Sequence, residues 1–76
     1  MTLQDLLLAA QSGPFSCEEG DAEFFDVLHI LANEGAGMFN DVVRTVSTHR
    51  DGEIGRCTAV AINGGLNALG QLALRA

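Results

Sequence analysis

The sequence predicts an all-α protein in which a short N-terminal helix precedes an antiparallel helical hairpin. Between residues 24 and 46, apolar or small side chains recur at steps of three and four, which is the spacing of one helix face. The large apolar side chains are leucine, valine, isoleucine and four phenylalanines, without tryptophan or tyrosine, and this composition suits a thin helical core. The apolar face is too broad to stay in water, so another surface must cover it.

The first element is a short helix over about residues 2–11. Thr2 can cap it, Leu3, Leu6 and Leu7 fall on one of its faces, and the chain must leave the helix before Pro14. A helix of this length is not stable in isolation, so it is expected to pack against the rest of the chain.

The second element is a long helix over about residues 22–48. Two N-caps compete, Ser16 as part of a capping box and Asp21 after Gly20, and Asp21 is preferred because glycine is unfavourable inside a helix. Gly35 and Gly37 each cost about 1 kcal/mol relative to alanine in a helix interior. A kink or break there is the alternative.

A β-hairpin is the competing interpretation of residues 42–62, because Asp51-Gly52 could join two strands. As a strand, residues 42–48 would mix apolar and polar side chains on both faces, whereas the apolar residues between 38 and 46 fit the helical period. The helical interpretation is therefore preferred, with a polar turn at residues 49–53.

The third element is a helix over about residues 53–75. Ala61, Gly65 and Ala68 lie on a line of small residues that could approach the long helix closely. A break near residues 63–65 is the alternative, with Asn63 capping a new helix before Gly64. These glycines do not match a phosphate loop, since no lysine followed by serine or threonine comes after them.

A hairpin covers only one side of each helix, so a homodimer that completes a four-helix bundle is expected. The seam of this dimer, or of a different partner, would be the apolar stripe of the long helix, formed by Phe24, Phe25, Leu28, Leu31, Met38, Phe39, Val42 and Val46.

Length and charge limit the functions to consider. The chain is a single small domain of 76 residues (1–76), in which 47% hydrophobic residues argue against disorder. Its net charge is −6, it has no lysine, and eight of its ten acidic residues precede Val42. Direct nucleic-acid binding is therefore not expected, and an acidic surface favours basic protein partners.

The N-terminal segment predicts a cytoplasmic protein. It lacks the basic region of a secretory signal, and the apolar run at residues 6–10 is far shorter than the roughly 20 residues that span a bilayer. No membrane association is expected, and Cys17 and Cys57 are then reduced thiols.

Five acidic residues cluster at the start of the long helix: Glu18, Glu19, Asp21, Glu23 and Asp26. One interpretation is compensation of the helix dipole. Another is a docking surface for a basic partner, and a third is salt-sensitive pairing with arginines of a second copy in the dimer.

Metal binding, cofactors and catalysis are not predicted. Asp26 and His29 could both reach a metal ion, but two ligands without a third are too few. His49, Asp51 and Cys57 suggest a nucleophile with its base, yet the sequence supplies neither an oxyanion hole nor a cleft.

The segment that begins Pro14-Phe15-Ser16-Cys17 and ends at Gly20, followed by the apolar helix, resembles a group of short pseudomonad proteins of unknown function. Those chains have the pattern Phe-Ser-Val-x-x-Gly and then a helical hairpin, and Cys17 stands where they tend to have valine. The resemblance covers about residues 14–74. It implies a helical hairpin and no activity.

The sequence therefore predicts a non-enzymatic, homodimeric protein-interaction regulator. The alternative is an inhibitor of the anti-CRISPR kind carried by phages, which would block a basic nucleic-acid-binding surface with its acidic cluster. Neutralising that cluster should abolish binding by the inhibitor and leave a seam-mediated partner unaffected.

Overall fold

The computed structural model describes residues 1–47 and 55–76, and these residues form helices and an antiparallel sheet. The all-α helical hairpin expected from the periodicity and from the pseudomonad resemblance is therefore wrong. The elements are α1 (Leu3–Ser12), β1 (Phe15–Glu18), α2 (Phe24–Ala32), β2 (Val42–Ser47), β3 (Arg56–Ile62) and α3 (Ala68–Arg75).

Helix α1 lies where the short N-terminal helix is expected, and a capping box begins it. The amide of Asp5 donates to the Thr2 hydroxyl at 3.3 Å, and the Asp5 carboxylate accepts the Thr2 amide at 3.0 Å. These contacts satisfy donors that have no partner inside the helix. Gly13 ends the helix with a φ of 154°.

Helix α2 ends at Ala32, so the long helix predicted over about residues 22–48 is wrong. The amides of Asn33 and Gly35 both donate to the Ile30 carbonyl, and Gly37 adopts a φ of 76° that favours glycine. Gly35 and Gly37, where a kink or break was the alternative, therefore lie in the segment that follows the end of α2 and precedes β2.

The predicted helix over about residues 53–75 is also wrong, because β3 occupies its first half. Gly65 has a φ of 68°, and a separate helix, α3, starts three residues later at Ala68 with Asn67 as its cap. The Asn67 side-chain oxygen accepts the Gly70 amide at 2.9 Å. The alternative of two helical pieces is therefore also wrong, because a strand and not a helix precedes residues 63–65, and Asn67 rather than Asn63 caps the helix that follows.

The sheet has the strand order β1-β3-β2, and both outer strands run antiparallel to β3. The pairing of β2 with β3 is the hairpin that the periodicity argued against; the expected turn at residues 49–53 falls outside the described residues. Val42 and Phe15 both lie opposite Ile62. A bulge interrupts the β2–β3 pairing, since Thr45 lies opposite Ala59 but Val46 lies opposite Cys57.

The core lies between the helices and one face of the sheet. Helices α1 and α2 supply most of its apolar side chains, and β1, β3 and the loop between β3 and α3 supply the rest. The residues of this core are Leu6, Leu7, Ala10, Cys17, Phe24, Val27, Ile30, Leu31, Val60, Ile62 and Leu66.

The loop between α2 and β2 contacts the loop between β3 and α3, and these contacts position the start of α3. The Asn40 amide donates to the Gly65 carbonyl at 2.9 Å, and the Gly64 amide donates to the Asn40 carbonyl at 3.2 Å. A β-bridge joins Phe39 to Leu66. The polar loops are therefore part of the packed structure, although their sequence resembles flexible turns.

Candidate protein-interaction surface

The five acidic residues predicted as a partner surface lie on the segment of residues 18–26, here called the acidic segment, which connects β1 to α2. Asp21 organises this connection, because its carboxylate accepts the Glu18 amide at 2.8 Å and its own amide donates to the Glu18 carbonyl at 3.0 Å. Asp21 is not the helix cap expected from the sequence. Glu23 occupies that position and makes no side-chain capping hydrogen bond.

All five carboxylate side chains of the acidic segment belong to exposed residues. Glu19 pairs with Arg56 at 2.7 Å, and Asp26 pairs with the amino group of Met1 at 3.0 Å; the described residues show no further ion pair. Exposed ion pairs contribute little to stability, with typical values of about 0–1 kcal/mol. The acidic segment is therefore a solvated, negatively charged surface.

Phe25 projects from this negatively charged surface. Its side chain is 75% exposed, whereas that of the adjacent Phe24 is 1% exposed and belongs to the core. The two rings meet edge to face with centroids 5.6 Å apart, so the buried ring supports the exposed one. Glu23 and Asp26 flank Phe25 in the sequence, and they are exposed as well.

The sequence assigned Phe25 to an apolar seam and the acids to a separate surface, but in the structure Phe25 is exposed, as are its near neighbours Glu23 and Asp26. The signal was the pair Phe24-Phe25, because adjacent helix positions are turned by about 100° and cannot both face one core. The helical period from residue 24 to 46 outweighed that signal, because it placed Phe24, Phe25 and Phe39 in one apolar stripe.

The seam residues lie on three different parts of the fold instead of on one helix. Phe24 and Leu31 are in the core, and Leu28 on α2 is half-buried. Met38 and Phe39 are half-buried in the loop after α2, and Val42 and Val46 belong to β2.

The candidate metal ligands Asp26 and His29 are not part of a metal-binding cluster among the described residues. The described residues contain no group of three histidine, cysteine, aspartate or glutamate side chains that could hold a metal ion. His29 instead lies 3.3 Å from the Asn33 side-chain nitrogen through its Nδ1 atom. His49 and Asp51 lie outside the described residues.

The two cysteines are free thiols that face different surroundings. Burial raises the pKa of the Cys17 thiol, and the nearby charges of Asp21 and Glu23 act in the same direction. Cys57 is half-buried, and its Sγ donates to the Ala59 carbonyl at 3.3 Å. A raised pKa makes Cys17 a poor nucleophile at neutral pH.

The described part of the chain contains no pocket for a small ligand, and none of its helices has the length and apolar character needed to cross a membrane. Comparisons with family models, curated proteins and solved structures find no match to this chain. The exposed surface is therefore the basis for considering function.

Proposed function

We propose that this protein is a non-enzymatic interaction module that binds a basic protein through Phe25 and the carboxylates of the acidic segment. The observation that carries the proposal is the 75% exposure of Phe25 within a negatively charged surface. Aromatic side chains that enter a partner pocket supply much of the energy of protein interfaces. Charges around such a residue increase the association rate and select partners of opposite charge.

Compensation of the helix dipole explains only part of the acidic segment. Asp26 lies in the first turn of α2 and Glu23 is its cap, so both are favourable there. Glu18 belongs to β1 and Glu19 follows that strand, so neither lies in the first turn of α2. Both residues are exposed on the acidic segment, which supports a role in binding.

Inhibition of a nucleic-acid-binding protein is the second candidate function. The acidic segment places five exposed carboxylates within nine residues, and the chain has a net charge of −6 without any lysine. Such a surface can occupy a site that otherwise holds phosphates, as an anti-CRISPR-like inhibitor from a phage would. The two candidates differ in whether the captured partner also binds nucleic acid at the same site.

The test captures partners from cells with the full chain as bait. Wild-type protein and the variant Glu34→Gln, which removes an exposed carboxylate outside the acidic segment, should retain the same basic partner. Phe25→Ala should weaken its binding by at least about 2 kcal/mol, or roughly 30-fold. The double variant Glu18→Gln/Glu23→Gln should mainly lower the association rate.

Unchanged capture by both Phe25→Ala and the double variant would contradict the proposal. Circular dichroism of each variant checks that the fold is retained, which is expected because these side chains are exposed. If nucleic acid and this protein compete for the captured partner, the inhibitor function is favoured. If the partner binds both at the same time, the inhibitor function is excluded.

We further propose that the module acts in the cytoplasm as a homodimer. Leu69 and Leu72 of α3 are 50% and 65% exposed, and burial of these side chains between two copies would favour association. A cytoplasmic setting keeps thiols such as Cys17 and Cys57 reduced. Light scattering after size exclusion, over a range of concentrations and at two salt levels, tests the dimer; a constant monomer mass would contradict it.

A further inference from the structure

The sheet has two outer strands, and the edge of β1 is blocked. The Glu19 amide donates to the Thr58 carbonyl of β3 at 2.8 Å, so the alternate residues Ser16 and Glu18 direct their backbone groups away from β3. The Glu18 amide is already bound by the Asp21 carboxylate. Pro14, two residues before Ser16, has no amide hydrogen. This edge therefore offers few donors to another strand.

The edge of β2 is longer, and within residues 1–47 and 55–76 no proline or side-chain hydrogen bond blocks its outward amides in this way. The Asn63 amide donates to the Asp41 carbonyl at 3.1 Å, and alternation from Asp41 directs the backbone groups of Val42, Arg44 and Val46 away from β3. β2 contains no proline, and Arg44 is its only charged residue. Arg44 and the bulge in the β2–β3 pairing are the features that limit pairing at this edge, and the outward amides of Val42 and Arg44 have no partner among the described residues.

We propose that the free edge of β2 binds an extended segment of a partner protein, which adds a strand to the sheet and places a carboxylate opposite Arg44. Strand addition uses backbone hydrogen bonds for affinity and alternate side chains for specificity. The exposed guanidinium of Arg44 at the middle of the edge selects an acidic residue, since opposite charges stabilise directly opposed positions in a sheet.

Arg44 also argues against a second copy of β2 as the occupant. Antiparallel pairing that uses all three outward residues would place Val42 opposite Val46 and Arg44 opposite its own copy. Like charges at directly opposed positions are destabilising. Shifting the two strands by two residues separates the arginines but loses one hydrogen-bonded pair, so an acidic strand fits this edge better.

The neighbours of Arg44 define the rest of the expected partner sequence. Val42 is half-buried against the core, and Val46 is 53% exposed on the same face as Arg44. β-Branched side chains opposite these valines would cover them. The expected segment therefore has an acidic residue at its centre and a β-branched residue two positions away on each side.

The test is an NMR titration of the full chain with a short blocked peptide of alternating valine and threonine with one central glutamate. The matched control peptide has lysine in place of glutamate. The glutamate peptide should bind about tenfold more tightly, with the largest amide shifts at Val42, Arg44 and Val46. Arg44→Glu should reverse the preference, and Arg75→Glu, which changes an exposed arginine on α3, should leave it unchanged.

Equal affinity for the two peptides, absence of binding at millimolar concentration, or shifts confined to another surface would overturn the proposal. Arg44→Pro removes an outward amide hydrogen at a position where an edge strand tolerates proline. A wild-type dimer that this variant dissociates would identify a second copy as the occupant and also overturn it. Phe25→Ala should bind the glutamate peptide normally, which separates this edge from the acidic segment.

Discussion

Gly70 shows at the residue scale how closely α3 approaches the rest of the fold. It is buried in α3, and a Cβ atom at this position would collide with the Met38 carbonyl oxygen and press on the Leu66 side chain. The Met38 carbonyl belongs to the backbone, which cannot move aside as a flexible side chain could. Glycine is therefore required at this position by packing and not by its backbone angles.

Gly70→Ala should destabilise the protein even though alanine favours helices by about 1 kcal/mol over glycine. Overpacking typically costs about 1–3 kcal/mol, so we expect a net loss near 1 kcal/mol in the free energy of unfolding. Urea denaturation measures this loss, and Gln71→Ala at the exposed neighbouring position provides the control. A stabilised Gly70→Ala variant would mean that α3 can move away from Met38.

Cys17 and Cys57 should differ in reactivity. The side chain of Cys17 is 4% exposed and its pKa is raised, so it is mostly protonated and poorly accessible at neutral pH. Iodoacetamide should therefore modify Cys57 first, and the rate at Cys17 should increase as the pH rises above the usual range for a thiol. Peptide mapping by mass spectrometry measures both rates, and denatured protein, in which the two rates should be similar, is the control.

At the scale of elements, the local cap signal at Thr2 predicted correctly, whereas the cap signals at Asp21 and Asn63 and the long-range period did not. Thr2 and Asp5 are close in sequence, and they form the capping box that starts α1. The valines at 42, 43 and 46 satisfied a helical period by coincidence, although β-branched residues favour strands. Their exposure explains the error. β2 is an outer strand and neither of its faces is well covered, so its sequence lacks the alternation of apolar and polar residues that indicates a strand.

Among candidate-site residues, the exposure of the acids could be predicted from their charge. The grouping of Phe25 with them could not, because it depends on which ring enters the core. The free edge of β2 was beyond the sequence as well, since β1 reaches the sheet from a distant part of the chain and leaves β2 on the outside.

The capping box of α1 should make stability depend on pH. The Thr2 amide bound to the Asp5 carboxylate lowers the pKa of that carboxyl below its ordinary value of 3.8. A lowered pKa contributes stability at pH values above the unfolded-state pKa, and this contribution is lost as the pH falls through the folded-state pKa. The difference in stability between wild type and Asp5→Asn should be present at about pH 7 and smaller at about pH 2. Thermal unfolding at both pH values measures it, and an equal difference at both would contradict the explanation.

At the scale of the whole molecule, an excess of negative charge accompanies a small core. The net charge is −6, and the acidic segment concentrates five carboxylates near one end of α2. Repulsion among like charges opposes the compact state, and salt screens it. The two ion pairs of the described residues are exposed, so their attraction offsets little of this repulsion.

Raising the salt concentration from about 0.01 M to about 0.15 M shortens the screening length from about 30 Å to about 8 Å. The melting temperature should therefore rise by a few degrees over this range. The double variant Glu18→Gln/Glu23→Gln should melt higher at low salt and respond less to added salt. Thermal melts followed by circular dichroism test both statements, and a melting temperature that falls with salt would show that attractive ion pairs dominate.

The strand order β1-β3-β2 has a consequence for how the chain acquires its structure during synthesis. The central strand, residues 56–62, leaves the ribosome after both of its neighbours, so neither β1 nor β2 can find its partner until most of the chain has been made. Pairing between distant segments also slows folding compared with local helical contacts. Both edges of β2 therefore lack a partner strand during synthesis until β3 has been made, whereas only one edge lacks it in the folded protein.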